Sequence, residues 1–318
     1  MKKISALLGC FAGLLFSTSL FAQEPDLSAI VDQNSTPGTK EYVAATFKGF
    51  RIINAQTNET AGKRNLYFNI AHRFGDIAGD AGGISTFYGF DNAADIRFSF
   101  DYGITDRLQV GIGRSKGVDA YAQLYDANIK YRLLRQTTDS KMPVSVTLYG
   151  VGAITGGPAA DDLTSDASFQ NTAQRMSYVT QAVIARRFTP GFSLEVLPTW
   201  LHRNYVSFED ENDMFSLGIG ARVKLTKRFA LIADYYHNFS KYRMDAEDPG
   251  GNKIYYDPLS VGVEIETGGH IFTINFTNSA GILENCYLPF SKKNWLDGEF
   301  RIGFNIARNF VIGGGKGW

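Results

Sequence analysis

The sequence predicts an all-β fold: a transmembrane antiparallel β-barrel of about twelve strands, with short periplasmic turns and long extracellular loops. Three observations support this prediction. Alternating polar and apolar segments recur from Arg64 to about Ile312, their connectors are short and long in turn, and a secretory signal precedes them. Alternation gives each strand one apolar face, and unequal connectors are typical of a barrel with one end on each side of a membrane.

The first 22 residues have the composition of a secretory signal peptide. Lys2 and Lys3 precede an apolar stretch over residues 4–16, and we expect cleavage after Ala22. An uncleaved anchor and a lipoprotein site at Cys10 are the alternatives, but the apolar stretch before Cys10 is short for a lipoprotein signal.

Composition and charge limit the classes of partner and cofactor. Cleavage removes two lysines, which leaves 30 basic and 32 acidic side chains, a net charge of about −2 that argues against a nucleic acid partner. Cys286 becomes the only cysteine, which excludes an internal disulfide and any metal or haem site built on cysteine. Acidic clusters in the predicted outer loops match no calcium-loop spacing, so we expect no metal and no cofactor.

Residues 23–63 are predicted to be a periplasmic lead-in with one extended segment. Residues 23–46 are rich in Asp, Ser, Thr, Pro and Gly and follow neither the helical nor the strand period. The extended segment, from Phe47 to Asn54, would make an odd thirteenth strand. We therefore place it outside the barrel wall or in the lumen, and assign residues 64–318 to the outer-membrane β-barrel.

The first strands establish the pattern. Leu66, Phe68 and Ile70 alternate with less apolar residues, and residues 96–102 then place Ile, Phe, Phe and Tyr on one face. The opposite face of that second strand carries Asp95, Arg97, Ser99 and Asp101, and no soluble protein core accepts such a row of polar groups. These side chains must therefore meet water or each other.

The same alternation predicts the remaining strands. They lie near residues 108–113, 125–133, 144–153, 176–188, 192–202, 215–225, 229–239, 259–267, 270–277 and 300–312. Short or medium connectors follow the even-numbered strands, at 105–107, 137–142, 189–191, 226–228 and 268–269. Longer connectors follow the odd-numbered strands, at 75–92, 154–174, 203–213, 240–256 and 279–297, with a short one at 115–119.

A soluble sandwich or soluble barrel would show the same alternation, because the pattern does not say which face points inward. The signal peptide, the one-sided distribution of loops and the aromatic strand ends favour the membrane barrel. A spanning sheet must also close on itself, since the bilayer offers no water to unpaired backbone groups. We therefore place the protein in the outer membrane of a Gram-negative bacterium, in contact with outer-membrane lipid.

Several short strings, taken in order, resemble an uncharacterised outer-membrane β-barrel family of Bacteroidetes, a domain of unknown function. The strings are Phe47-Lys48-Gly49, Arg51-Ile52-Ile53-Asn54, His72-Arg73-Phe74-Gly75-Asp76, Tyr88-Gly89-Phe90-Asp91-Asn92-Ala93, Asp101-Tyr102-Gly103-Ile104-Thr105-Asp106, Val110-Gly111-Ile112-Gly113-Arg114, Tyr131-Arg132-Leu133-Leu134-Arg135-Gln136, Gly268-Gly269-His270 and Thr277-Asn278-Ser279. The resemblance covers nearly all of the mature chain and implies location and fold. It implies no activity.

The histidines are the first candidates for catalysis. His72, His202, His237 and His270 share parity with apolar neighbours, so we expect them on the outward face near strand ends. A barrel hydrolase needs a Ser and a His within hydrogen-bond reach, and parity brings no such pair together. We therefore predict that the protein is not an enzyme.

Charged residues of lumen parity are the stronger functional signal. Opposed basic and acidic rows would line a narrow channel or pore for a small solute, whereas mutual pairing would fill the barrel and leave function to the loops as a structural or surface-interaction protein. The sequence leaves both hypotheses and the oligomeric state open. The predicted lumen-lining residues are Arg73, Asp95, Arg97, Asp101, Asp126, Lys130, Arg132, Arg186, Glu195, Arg222, Lys224, Asp234, Glu264, Glu266 and Arg301.

Overall fold

The computed structural model of the protein describes residues 41–312. The predicted signal peptide and the first part of the predicted lead-in lie outside this range. Within it, no helix is long and apolar enough to cross a membrane.

Twelve antiparallel strands form one closed barrel, as the alternating pattern predicts. The predicted strands agree with the observed ones to within a few residues. The strands are β1 (Asn65–Asp76), β2 (Ala93–Gly103), β3 (Leu108–Ser115), β4 (Leu124–Leu134), β5 (Ser145–Thr155), β6 (Met176–Thr189), β7 (Phe192–Arg203), β8 (Asp213–Lys224), β9 (Phe229–Asn238), β10 (Leu259–Thr267), β11 (His270–Thr277) and β12 (Arg301–Val311).

Closure joins the first strand to the last. Each strand pairs with its neighbours in the chain, and β1 pairs with β12 in a register that runs from Asn65 opposite Val311 to Arg73 opposite Gly303. A bulge between Arg73 and Asp76 ends this regular pairing. Closure leaves no free strand edge in the barrel, so the backbone groups of the wall pair with one another.

The two ends of the barrel differ in their connectors. At one end, here called the short-turn end, the connectors are residues 104–107, 135–144, 190–191, 225–228 and 268–269. At the other, the long-loop end, they are residues 77–92, 116–123, 156–175, 204–212, 239–258 and 278–300. The long loops contain helices α1 (Lys241–Asp245) and α2 (Glu284–Tyr287) and 3-10 turns at Ile84–Thr86, Asp119–Tyr121, Ala173–Arg175 and Trp295–Asp297.

The wall has its apolar face outside and a buried face inside. On β2, Phe98 and Phe100 are 40% and 45% exposed, whereas Asp95 and Arg97 are 0% and 2% exposed. A soluble barrel would show the opposite arrangement, because its apolar face forms the core. The inside-out distribution is that of a barrel surrounded by lipid.

The chain before β1 enters the barrel at the short-turn end. Residues 46–61, here called the plug, are buried except for Lys48 and three half-buried residues. The backbone N–H of Lys63 donates to Asp106 Oδ1, and Val43 N–H donates to the carbonyl of Gln136, so both ends of the plug are tied to short turns. The sequence left two positions open for the segment from Phe47 to Asn54, outside the barrel wall or in the lumen. The structure places it in the lumen.

The plug is not the extended segment that the sequence predicts for residues 47–54. Its backbone reverses, with Ile52 N–H donating to the Ala55 carbonyl and Thr57 N–H donating to the Phe50 carbonyl. The reversal lets a segment inserted from one end of the barrel return to that end and continue into β1. Residues 41–63 are therefore packed with the barrel as one compact unit, and the predicted domain boundary at residue 63 separates parts of the chain that lie together.

A second segment fills the lumen from the long-loop end. Residues 279–291 of the last loop, here called the inward loop, carry α2 and are buried almost throughout. Leu283, Cys286 and Phe290 pack in an apolar cluster with Tyr121 and Leu124. The lumen is thus occupied from both ends.

The packing of the plug against the wall can be tested at Gly103, the last residue of β2. A Cβ at this position would lie 2.0 Å from the backbone oxygen of Gly62, so Gly103→Ala should displace the end of the plug. We expect a loss of about 1–3 kcal/mol in the free energy of unfolding, measured as a lower temperature of the band shift on heated detergent gels. Gly150→Ala is the matched control, because its Cβ would meet no atom closer than 3.6 Å, and equal loss in both variants would contradict this packing.

Candidate functional site

The lumen is the candidate functional site, since it gathers the ionisable side chains of the wall. The predicted lumen residues that have inward-facing positions are Arg73, Asp95, Arg97, Asp101, Asp126, Lys130, Arg132, Glu195, Arg222, Lys224, Asp234, Glu264, Glu266 and Arg301. Most of them are buried, whereas Lys224 is exposed at the rim of the short-turn end.

Arg186 is the exception, and the prediction that it lines the lumen is wrong. On β6 the buried positions are Val179, Val183 and Ala185, so Arg186 falls on the outward face. Its guanidinium lies over the ring of Phe188, 5.0 Å from the ring centre. A long arginine near a strand end can reach the membrane surface from the outer face, so a charged residue at such a position need not face the lumen.

Some lumen charges pair with a charge on another strand of the wall. Arg97 on β2 contacts both carboxylate oxygens of Asp126 on β4, at 2.7 and 3.3 Å. Arg222 on β8 donates to Glu264 at 2.7 Å and to Glu266 at 2.8 Å. A further ion pair joins Arg301 to Asp76, which is not among the predicted lumen-lining residues. Such pairs compensate the cost of burying each charge.

Other lumen charges bind the backbone of the plug. The backbone N–H groups of Ile53, Asn54 and Ala55 donate to the same oxygen of Asp234, at 3.1, 2.8 and 3.1 Å. Successive amides around one carboxylate form a strong anion cradle. On the other side of the plug, the ammonium of Lys130 donates to three plug carbonyls at 3.2–3.4 Å.

Two wall arginines add side-chain contacts to the plug. Arg73 donates to Asn54 Oδ1 at 3.1 Å and to Asn305 Oδ1 at 3.0 Å, so it links β1, β12 and the plug. Arg132 donates to Glu59 at 3.3 Å near the short-turn end. The plug is therefore held by charge-assisted hydrogen bonds along its length.

The inward loop is held by a separate set of wall groups. Ile282 N–H donates to Asp95 Oδ2 at 3.0 Å, and Asn285 Nδ2 donates to Ser177 Oγ at 2.7 Å. Glu284 of this loop is fully buried and contacts the plug rather than the wall, through Arg51 and Gln56. The two lumen segments thus meet at Glu284.

The lumen has a polar half and an apolar half. In the polar half, formed by β1–β4 with β11 and β12, side chains such as Asn69, Ser99, Asp101, Asn128 and Asn305 face inward. A cavity of about 30 Å³ lies among these residues and Arg51 of the plug. A polar space of this size accommodates ordered water.

The half formed by β5–β9 also carries Glu195, Arg222 and Asp234, but it is here called the apolar half because both lumen segments pack against its aliphatic and aromatic side chains. Ala55 of the plug and Tyr287 and Leu288 of the inward loop belong to one buried cluster with Val151, Val179, Val183, Leu197, Leu201 and Tyr236. Phe47, Ile52 and Ile53 form a second cluster with Ala185 and Ile232. The filling of the lumen is therefore anchored to one side of the wall.

Glu195 is a buried carboxylate on β7, in the apolar half of the lumen. It is 1% exposed, and among residues 41–312 neither of its carboxylate oxygens has a hydrogen-bond donor. Asp234, by contrast, accepts hydrogen bonds from three plug amides.

The four histidines share the outward face of their strands, as parity predicts. His202 Nδ1 lies 2.8 Å from Asp213, and His237 Nδ1 lies 2.9 Å from Asp257. His72 stacks with Phe304, and His270 stacks with Phe272. In the described part of the chain, no group of three or more His, Cys, Asp or Glu side chains is arranged to hold a metal.

Strand parity gives no information about lumen residues that lie outside the strands, chiefly Arg51 and Glu284. A signal for them was present, because residues 280–290 and 46–55 are more apolar than exposed connectors usually are. An apolar stretch inside a loop of a barrel indicates a segment that folds back into the protein.

A closed barrel with an apolar outer face and charged side chains inside defines the class of membrane β-barrels, which is typical of Gram-negative outer membranes. The chain belongs to the family of membrane-bound β-barrel domains designated DUF5777, whose sequence profile matches residues 47–310. The match begins at Phe47, so the family domain includes most of the plug as well as the wall.

Solved structures with a similar fold include porins and a channel. The NanC porin is 7% identical over 77% of this chain and 98% of its own, with a TM-score of 0.44. The KdgM porin is 6% identical over 77% and 99%, with a TM-score of 0.44. The COG4313 outer-membrane channel from Pseudomonas putida F1 is 13% identical over 87% and 100%, with a TM-score of 0.42. No curated protein matches the sequence, and membership of the family rests on the profile match alone.

The anion cradle predicts that Asp234 holds the tip of the plug. Asp234→Ala leaves three backbone N–H groups without an acceptor in the lumen, which should favour release of the plug by about 3 kcal/mol. We expect trypsin to cleave the folded variant after Arg51, a site that is buried in the wild type, with the fragment identified by mass spectrometry. Asp257→Ala removes a carboxylate at the outer rim and should leave Arg51 protected; protection in both variants would contradict the role of Asp234.

Cys286 provides a natural reporter for the inward loop. It is the free cysteine of the described chain, it is fully buried, and burial raises the pKa of its thiol well above the usual range. We expect a maleimide to modify the folded protein near neutral pH at least about a hundredfold more slowly than the unfolded chain. Rapid labelling of the folded wild type would contradict the buried position of the loop.

Proposed function

We propose that this protein is an outer-membrane channel for small solutes that is closed by the plug and opens when the plug leaves the polar half of the lumen. In this proposal the short-turn end faces the periplasm and the long-loop end faces the cell exterior, since outer-membrane barrels have short periplasmic turns. The plug would then act from the periplasmic side.

The observation that carries the proposal is the division of the lumen into two halves. A barrel that only needs to be filled gains from an apolar interior, because buried charges cost free energy unless each is paired. Here β1–β4, β11 and β12 present ionisable and amide side chains around a small polar cavity. Such a wall remains well solvated when water replaces the plug, and its charges would select the solute.

The attachment of the plug supports reversible opening. Lys130 and Asp234 bind plug backbone groups, and water can replace those groups when the plug moves.

A filled barrel with a structural or surface-interaction role is the second candidate. It is favoured by the apolar half, where both lumen segments bury aliphatic and aromatic side chains against β5–β9. An enzymatic role is not proposed.

Conductance in planar bilayers tests the channel against the filled barrel. We expect the refolded full-length protein to open rarely and a variant without residues 46–61 to give frequent discrete openings, because the polar half of the lumen then fills with water. In that deletion background, Asp101→Asn should shift the reversal potential in a salt gradient toward anions, since it removes a negative charge next to the cavity.

A variant shortened in the exposed loop at residues 246–253 controls for the effect of deleting chain. It should behave as the wild type. A plug-deleted barrel that is folded, as judged by the band shift on heated gels, and still silent would refute the channel and support the filled barrel.

A further inference from the structure

An ion pair joins the two segments that fill the lumen. Arg51 of the plug faces Glu284 of the inward loop, with Nη1–Oε1 at 2.9 Å and Nη2–Oε2 at 3.0 Å. Gln56 of the plug donates to the same carboxylate at 3.1 Å. The carboxylate of Glu284 therefore receives these three contacts from a segment that enters at the opposite end of the barrel.

The burial of this pair sets its consequences. The side chain of Glu284 is 0% exposed and that of Arg51 is 9% exposed. A buried carboxylate whose cation is removed is strongly destabilised, because it loses the charge that compensates its burial. Departure of the plug would leave Glu284 in this condition unless the inward loop also moved.

Other polar contacts join each segment to the wall. The plug is bound by Asp234 and Lys130, and the inward loop by Asp95 and Ser177. Each of these contacts holds one segment and does not involve the other. The contacts of Arg51 and Gln56 with Glu284, in contrast, join one segment to the other by polar groups.

We infer that the ion pair between Arg51 and Glu284 couples the plug to the inward loop, so that loosening the plug at the short-turn end loosens the loop at the long-loop end. The coupling is reciprocal, as any coupling between two equilibria must be. It deepens the proposed function and rests on it for its physiological meaning, because a channel closed at both ends needs both segments to move.

The contacts of Arg51 suit this role. Its Nη1 also donates to the carbonyl of Asn54, at the tip of the plug that Asp234 holds through three amides. Release of the tip from Asp234 therefore moves the backbone group that positions Arg51. A change at the wall is passed to Glu284 over a short chain of direct contacts.

The test uses the thiol of Cys286, two residues from Glu284, in the folded full-length protein in lipid vesicles. The probe is a maleimide attached to polyethylene glycol, too large to enter the closed lumen. For Arg51→Met we expect labelling on the order of tenfold to a hundredfold faster than in the wild type, because the carboxylate of Glu284 is left buried without its cation. Lys48→Met is the matched control, because Lys48 is a plug cation paired with Glu266 of the wall rather than with the loop.

A double variant separates lost coupling from general damage. Arg51→Met combined with Glu284→Met removes both charges and places two apolar side chains in contact, which proteins often tolerate without loss of stability. We expect labelling to return close to the wild-type rate. Equal labelling rates in Arg51→Met and Lys48→Met, with both variants folded, would overturn the coupling.

The readout does not depend on conduction, so the two proposals can fail separately. A plug-deleted barrel that passes no current would refute the proposed channel, and the labelling result would still stand. Conversely, current through the plug-deleted barrel together with unchanged labelling in Arg51→Met would support the proposed channel and refute the proposed coupling.

Discussion

The structure depends on the requirement that every backbone N–H and C=O group inside the hydrocarbon of a bilayer finds a partner within the protein. The twelve strands meet this requirement by closing β12 onto β1. Closure forces the alternate side chains of each strand into an enclosed lumen, where a polar group can no longer rely on bulk water. The arrangement of the lumen follows from this constraint.

Most buried charges of the lumen have a partner, and the protein supplies these partners in three ways. Arg97 and Asp126 pair across the wall, whereas Asp234 and Lys130 bind the backbone of the plug. Asp95 binds the backbone of the inward loop. The plug and the inward loop are thus part of the electrostatic balance of the wall as well as of its packing, and moving either segment changes the charge exposed in the lumen.

The polar and apolar halves make the two sides of the lumen unequal. Packing against β5–β9 holds both inserted segments by the burial of apolar surface, which does not depend on charge. On the side of β1–β4, the same segments contact polar groups, and water can solvate these groups as well as the segments do. A displacement of the plug from the polar half would therefore open a passage on that side first, while the contacts with the apolar half persist.

The sequence by itself determined the closed barrel, its twelve strands and the unequal connectors, because a period of two residues and the length of each turn are local properties. Parity also placed residues such as Arg97 and Asp234 inside, but it misplaced Arg186, since both faces of β6 carry apolar residues. Only the tertiary structure decided what fills the lumen. Residues 46–61 and 279–291 have no period, and their positions follow from contacts such as Arg51 with Glu284 between residues far apart in the chain. Long-range pairing of this kind depends on the closed wall that surrounds it, so a local pattern cannot specify it.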